Sequence, residues 1–212
     1  MREFIASLSH LQASAPTWCS GWSVHEVAAH VAAAAEERAD LIDDHLAGKP
    51  LRPTRSWEVR EPPFRAMPDA LLRERLVEHA VRFESKVASL NDGDTVVYTG
   101  WGMTAERLRM HSHSEAVLHR WDLVGDDDIG IRLLSDPALA DHALAVFDAL
   151  PMLSEAERWR RHPVPASVML RALELRPHEL PLVLWGRCPA RLRNPNANAE
   201  NIDDVLRRLA NA

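Results

Sequence analysis

Residues 111–123 read HSHSEAVLHRWDL, with three histidines, a glutamate and an aspartate in thirteen positions. The surrounding pattern predicts a helix over roughly 104–124. On a helix, His111, Glu115 and His119 stack at i, i+4 and i+8, and Asp122 continues the stripe. Leu108 and Leu118 border it, so this face points inward. Arg107, Arg109, His113 and Arg120 fall on the opposite side. An inward stripe of titratable groups is costly unless something pairs them. A divalent metal does so, and Glu115 with His119 one turn later aims two ligands at one point. Helical bundles build metal sites in this way, from inward ligands on facing helices.

The facing helix is legible in GWSVHEVAAHVAAAAEERADLIDDHL, residues 21–46. Ser23 with Glu26 forms a capping box, and Trp22 with Val27 a hydrophobic staple. Val24, Val27, Ala28, Val31, Ala34 and Ala35 repeat on one apolar face, and Gly48 with Pro50 ends the helix. His30 sits at the edge of that face, with small residues Ala33 and Ala34 after it, and is the natural third ligand. Three ligands leave an open coordination position, as in a catalytic zinc-type site. Asp122 suits the Nδ1–H of a ligating histidine. His111 reads as lining for a substrate pocket and His113 as surface. Plainer readings exist for each element alone: a hydrogen-bonded core histidine for His30, a surface i,i+4 pair for Glu115 and His119, and a solvated last-turn acid for Asp122.

Around these two helices the chain reads as mainly α. A short helix is expected at 2–11. Residues 49–67 hold four prolines and five basic residues without a period and read as a long loop that covers or lines a site. Leu72, Leu76, Ala80, Phe83 and Val87 mark a helix over 68–90. TVVYTGWG at 95–102 reads as a short extended link, and 126–130 as a turn. A fourth main helix is expected over 136–150, with Leu139, Leu144, Val146 and Phe147 available for burial. Residues 1–155 therefore read as a bundle of four main helices. Residues 160–212 read as a small α/β module, with a strand or helix at 163–177, an apolar segment HELPLVLWGR at 178–187, and an amphipathic helix at 201–212.

Composition narrows the function. The 212 residues carry a net charge of −6 and no basic stripe, which argues against nucleic acid as a partner. No apolar run suits a signal peptide or a membrane span. A cytoplasmic protein, monomer or homodimer, is expected, with Cys19 and Cys188 reduced.

PTWCSGWSVHEVAAHV, followed by SEAVLHRWDL, resembles the mycothiol-dependent maleylpyruvate isomerase family, a branch of the DinB-like metal-binding four-helix bundles. The matching residues are Pro16, Thr17, Cys19, Gly21, Trp22, Ser23, Val24, Val27, Ala29 and His30, then Glu115, His119, Arg120, Trp121, Asp122 and Leu123. VLWGR at 183–187 resembles the family's C-terminal module. Ahead of Glu115, where members often carry an arginine, this chain has HSHS. The resemblance implies a divalent metal, typically zinc, on His30, Glu115 and His119. It also implies a small-molecule thiol, mycothiol or similar, as cosubstrate, because coordination to a cation favours the nucleophilic thiolate. The expected activity is isomerisation or S-transfer on a small electrophile such as maleylpyruvate, with Asp122 as the catalytic residue that orients a ligand. A metal-dependent hydrolase on the same bundle, and a non-catalytic metal-binding or sensor protein with His111 as a fourth ligand, are the alternatives.

Overall fold

The computed structural model describes residues 1–149 and 174–192, and these are mainly helical with one two-stranded hairpin. The chain divides into two compact units, one from Met1 to Gly125 and one from Asp126 onward. The domain boundary expected near 155–160 lies outside the described residues.

The first unit opens with α1 (Arg2–Leu8) and α2 (Val24–Leu46). The capping box of α2 is formed: Ser23 Oγ accepts the Glu26 N–H at 3.3 Å, and the Glu26 carboxylate accepts the Ser23 N–H at 2.8 Å. Each such cap contributes about 1 kcal/mol. The apolar face expected from Val24 to Ala35 is buried, but so are Ala29, Ala32 and Ala33 on other sides. Alanine suits this position because α2 runs through the middle of the unit, packed most extensively on α5 (Asp69–Ala88) and also on α6 (Ala105–Val124). All five apolar positions expected on α5, from Leu72 to Val87, are buried.

Residues 49–67 are more ordered than a proline-rich loop suggests. They contain two single-turn helices, α3 (Trp57–Arg60) and α4 (Pro62–Arg65), with Glu61 between them. Pro62 opens α4, where its missing N–H costs nothing. The segment is fastened to α2 by Glu37, whose fully buried carboxylate accepts hydrogen bonds from the Arg52 guanidinium at 2.6 Å, the Arg55 N–H at 2.8 Å and the Arg55 side chain. Arg55 also reaches Asp40 at 3.0 Å.

The extended link is a hairpin. Strand β1 (Val96–Tyr98) pairs antiparallel with β2 (Trp101–Met103), and Thr99 and Gly100 both turn through positive φ, 52° and 84°. Two positive φ values in a two-residue loop match the twist of the flanking strands. The hairpin delivers Tyr98 to the interior.

Helix α6 touches α1, α2 and α5, so it has little outer face. Arg107 and Arg109 are exposed as expected, but Arg120 is buried and His113 is half-buried. The loop carrying the first sequence motif docks on its C-terminus. The Trp18 N–H donates to the Asp122 carbonyl at 2.7 Å, and the Trp18 and Trp121 rings lie 6.1 Å apart. Gly125 ends the helix at φ 73°, and a Cβ there would stand 2.7 Å from Trp18 Nε1, so no other residue fits without displacing the indole.

In the second unit, the turn expected at 126–130 is the start of a short helix, α7 (Asp128–Leu134), capped by the Asp127 side chain on the Gly130 N–H. The fourth main helix is α8 (Pro137–Ala149). It belongs to the second unit, and the shorter α1 lies beside α6 in the first. Leu139 and Val146 are buried, Leu144 is 40% exposed, and the Phe147 side chain lies outside the described residues. The HELPLVLWGR segment forms α9 (Glu179–Leu184), with Leu182 to Leu184 buried and Glu179 paired with Arg191 at 2.6 Å. A short 3₁₀ turn spans Ala190–Leu192. The expected strand or helix over 163–177 is described only at 174–177, which is turn and coil, and the expected helix at 201–212 lies outside the described residues. No described helix is long and apolar enough to cross a membrane.

The Glu37 fastening has a measurable signature. Burial opposes its ionisation, but Arg52 and Arg55 outweigh that and hold its pKa below the usual carboxylate value. A depressed folded pKa stabilises above the unfolded value, near pH 4.3, and the benefit is lost as pH falls through the folded pKa. Glu37→Gln is expected to cost about 1–2 kcal/mol in urea unfolding at pH 7, since both arginines keep some access to water. The gap to the unmutated protein should close below pH 4. A gap independent of pH would remove charge pairing as its cause.

Candidate metal centre

Helices α2 and α6 cross so that later residues of one meet earlier residues of the other: His30 meets Glu115 and His119, while Arg38 meets Ser112. One ligand atom from each of His30, Glu115 and His119 lies within 4.8 Å of the others. Both imidazoles present Nε2 to the same carboxylate oxygen: Glu115 Oε2 is 3.8 Å from His30 Nε2 and 3.9 Å from His119 Nε2. Donors around one tetrahedral zinc stand roughly 3.3 Å apart at bond lengths of about 2.0–2.1 Å. Each imidazole nitrogen thus needs to draw in toward the carboxylate oxygen by about half an ångström, and the two nitrogens toward one another by up to about 1.5 Å.

The opposite ring nitrogens are also occupied, each by a buried acid. His30 Nδ1 lies 2.6 Å from Glu61 Oε1, and His119 Nδ1 lies 2.8 Å from Asp122 Oδ2. An acceptor at Nδ1 keeps the proton there and turns the Nε2 lone pair toward the centre, the arrangement common to metal-ligating histidines. Glu61 is held in turn by Arg65, whose Nη2 is 2.8 Å away. Arg65 also binds the capping Glu26 at 2.6 Å and lies over the Trp22 ring at 4.6 Å. Trp22 meets His30 edge-on at 5.3 Å. The residues that start α2 are thereby tied to the residue that orients its histidine.

Electrostatics favour the doubly charged arrangement. Burial opposes ionisation of Glu115, yet a hydrogen bond from His30 and the charges of His111, His119 and His30 hold its pKa well below the usual range. Burial likewise disfavours a charged His30, but Glu115 and Glu61 outweigh it and raise its pKa. Glu61 is lowered in the same way, with burial overcome by His30 and Arg65. Protons on the imidazoles and a cation between them are alternative ways to balance these carboxylates.

The structure brings together all three residues read as ligands. Asp122 is fully buried behind His119, with its carboxylate 2.8 Å from Nδ1, and is not among the convergent ligands. His111 is buried one turn before Glu115, edge-on to Tyr98 at 5.4 Å, and is not among the convergent ligands. Glu61 was not legible: it lies in the aperiodic 49–67 segment, where no spacing marks it.

Residues 1–124 match the family described as the mycothiol maleylpyruvate isomerase N-terminal domain. No curated protein and no solved structure matches the chain. The family match spans more than half of the 212 residues and ends on the helix that carries Glu115, His119 and Asp122. The mainly helical first unit agrees with the DinB-like fold, and the chain belongs to the mycothiol maleylpyruvate isomerase N-terminal domain family.

Proposed function

We propose that His30, Glu115 and His119 hold a divalent ion, zinc foremost, and that the chain is a thiol-dependent isomerase or S-transferase. Its cosubstrate is mycothiol or a similar small thiol, and its substrate a small electrophile such as maleylpyruvate. The observation that carries this reading is the pair of imidazoles aimed at one carboxylate, each fixed from behind by its own acid. Family membership supports the choice of thiol.

An ion at this point would favour thiolate over thiol and so supply the nucleophile near neutral pH. The protein's own groups have simpler duties. Glu61 and Asp122 keep the Nδ1 protons in place, which fixes both rings. Trp22 covers one flank of His30 and limits water there. In isomerisation the thiolate adds to an activated double bond, the former double bond rotates as a single bond, and the thiolate leaves with its electron pair. In S-transfer the new carbon–sulfur bond persists, and the electron pair displaced from the electrophile departs with a leaving group or takes up a proton from solvent. The three-ligand set also leaves room for water, so a metal-dependent hydrolase is the second reading.

Three outcomes test these assignments. Glu61→Gln and Asp122→Asn should each weaken zinc binding by about 10–100-fold while leaving the helical signal intact, measured by competition with a chelating dye. Binding should also weaken as pH falls from 7.5 to 5.5 and should release protons, because the raised pKa of His30 makes protons competitors for its ring. Pure zinc-reconstituted protein assayed with maleylpyruvate should turn over only when thiol is added, and His119→Ala should abolish that turnover. Equal turnover without thiol would replace the thiol-dependent reading with the hydrolytic one.

A further inference from the structure

Arg38 is 1% exposed in the interior of the first unit. Among the described residues its Nε and Nη1 have no hydrogen-bond partner, and its Nη2 reaches only Ser112 Oγ, at 3.5 Å. A buried guanidinium normally has a carboxylate beside it, because unpaired burial of a charge is among the largest penalties a core can carry. The faces of Phe83 and Tyr98, 5.3 and 5.5 Å from its Cζ, recover part of that penalty. They leave the in-plane N–H groups unanswered.

A second arginine approaches the same tyrosine. Among the described residues Arg60 Nε is buried without a partner, and its Nη1 finds only the Tyr98 hydroxyl and the Arg55 carbonyl, each at the 3.5 Å limit of a hydrogen bond. Tyr98 therefore lies against two guanidinium groups, neither of which has an anionic partner among the described residues. The arrangement is next to the candidate metal centre. Arg60 directly precedes Glu61. Ser112, the contact of Arg38, is about 4.5 Å of helix rise from Glu115. Side chains on a helix lean toward its N-terminus, so Arg38 leans back along α2 toward Ala34 and His30. His111, edge-on to Tyr98, fills the turn between this group and Glu115.

We propose that Arg38 and Arg60 form an anion subsite beside the metal centre that receives the carboxylate of a small organic acid. The fork of N–H groups on a guanidinium matches the two oxygens of a carboxylate, which a point charge would not. The assignment of that acid as the substrate rests on the reading of His30, Glu115 and His119 as the reacting centre; the anion subsite itself does not.

Calorimetric titration of acetate and of succinate into the zinc-reconstituted chain tests this, with zinc content measured on each sample. Saturable binding is expected, weakened about tenfold or more in Arg38→Met and in Arg60→Gln, with zinc content unchanged. Without ligand, Arg38→Met should also unfold at a higher temperature than the unmutated protein, since it removes an unpaired buried charge at similar volume. If Arg38→Met does not fold, Arg38→Lys and Arg60→Gln carry the same test, because lysine keeps the charge but loses the fork. Absence of saturable binding to the unmutated chain, or equal binding by the variants, would overturn the subsite and leave water as the partner of both arginines. Succinate binding by a chain that takes up no zinc would uphold the anion subsite and overturn the metal reading.

Discussion

The carboxylate of Glu115, held between two imidazoles inside a helical unit, is the constraint on which the first unit depends. An acid in that position has to be balanced, and it is not balanced alone: Glu61 and Asp122 stand behind the two rings. Glu61 is paired with the Arg65 guanidinium, which is itself shared with Glu26. Two protonated imidazoles or one divalent cation supply the missing charge. The first alternative disappears as pH rises through the raised pKa of His30, and the second becomes more favourable over the same range.

Much of the remaining architecture serves that meeting of α2 and α6. The capping box fixes where α2 begins, and the same Glu26 anchors the arginine that holds Glu61. Trp18 docks on the end of α6 at the only kind of residue that admits it, Gly125. Glu37, bonded to Arg52 and Arg55, fastens onto α2 the same 49–67 segment that carries Arg60 and Glu61. An acidic residue two turns from His30 thus helps position the group that orients it.

The three convergent residues were legible because a helix translates spacing into direction. Glu115 and His119 are one turn apart, and His30 follows a cap whose chemistry fixes the phase of its helix. Asp122 followed from the same periodicity, and its carboxylate lies behind His119, 2.8 Å from Nδ1. Glu61 was not legible, because a loop with four prolines has no period from which to infer direction. Arg38 was hidden for the opposite reason. It follows Glu36 and Glu37 in the sequence, and the packing of α5, α6 and the β1–β2 hairpin against α2 buries it. Arg120 misled in the same way: a charged residue on the expected outer face of α6 is buried because three helices surround α6 and leave it almost no outer face.

Elemental analysis of the protein purified without added metal, beside its His119→Ala and Glu115→Ala variants, tests the central claim most directly. About one equivalent of a divalent metal is expected in the unmutated chain, with zinc foremost, and a loss of most of it in each variant. Less than about half an equivalent in the unmutated chain, or a content that neither substitution changes, would contradict a metal centre built from His30, Glu115 and His119.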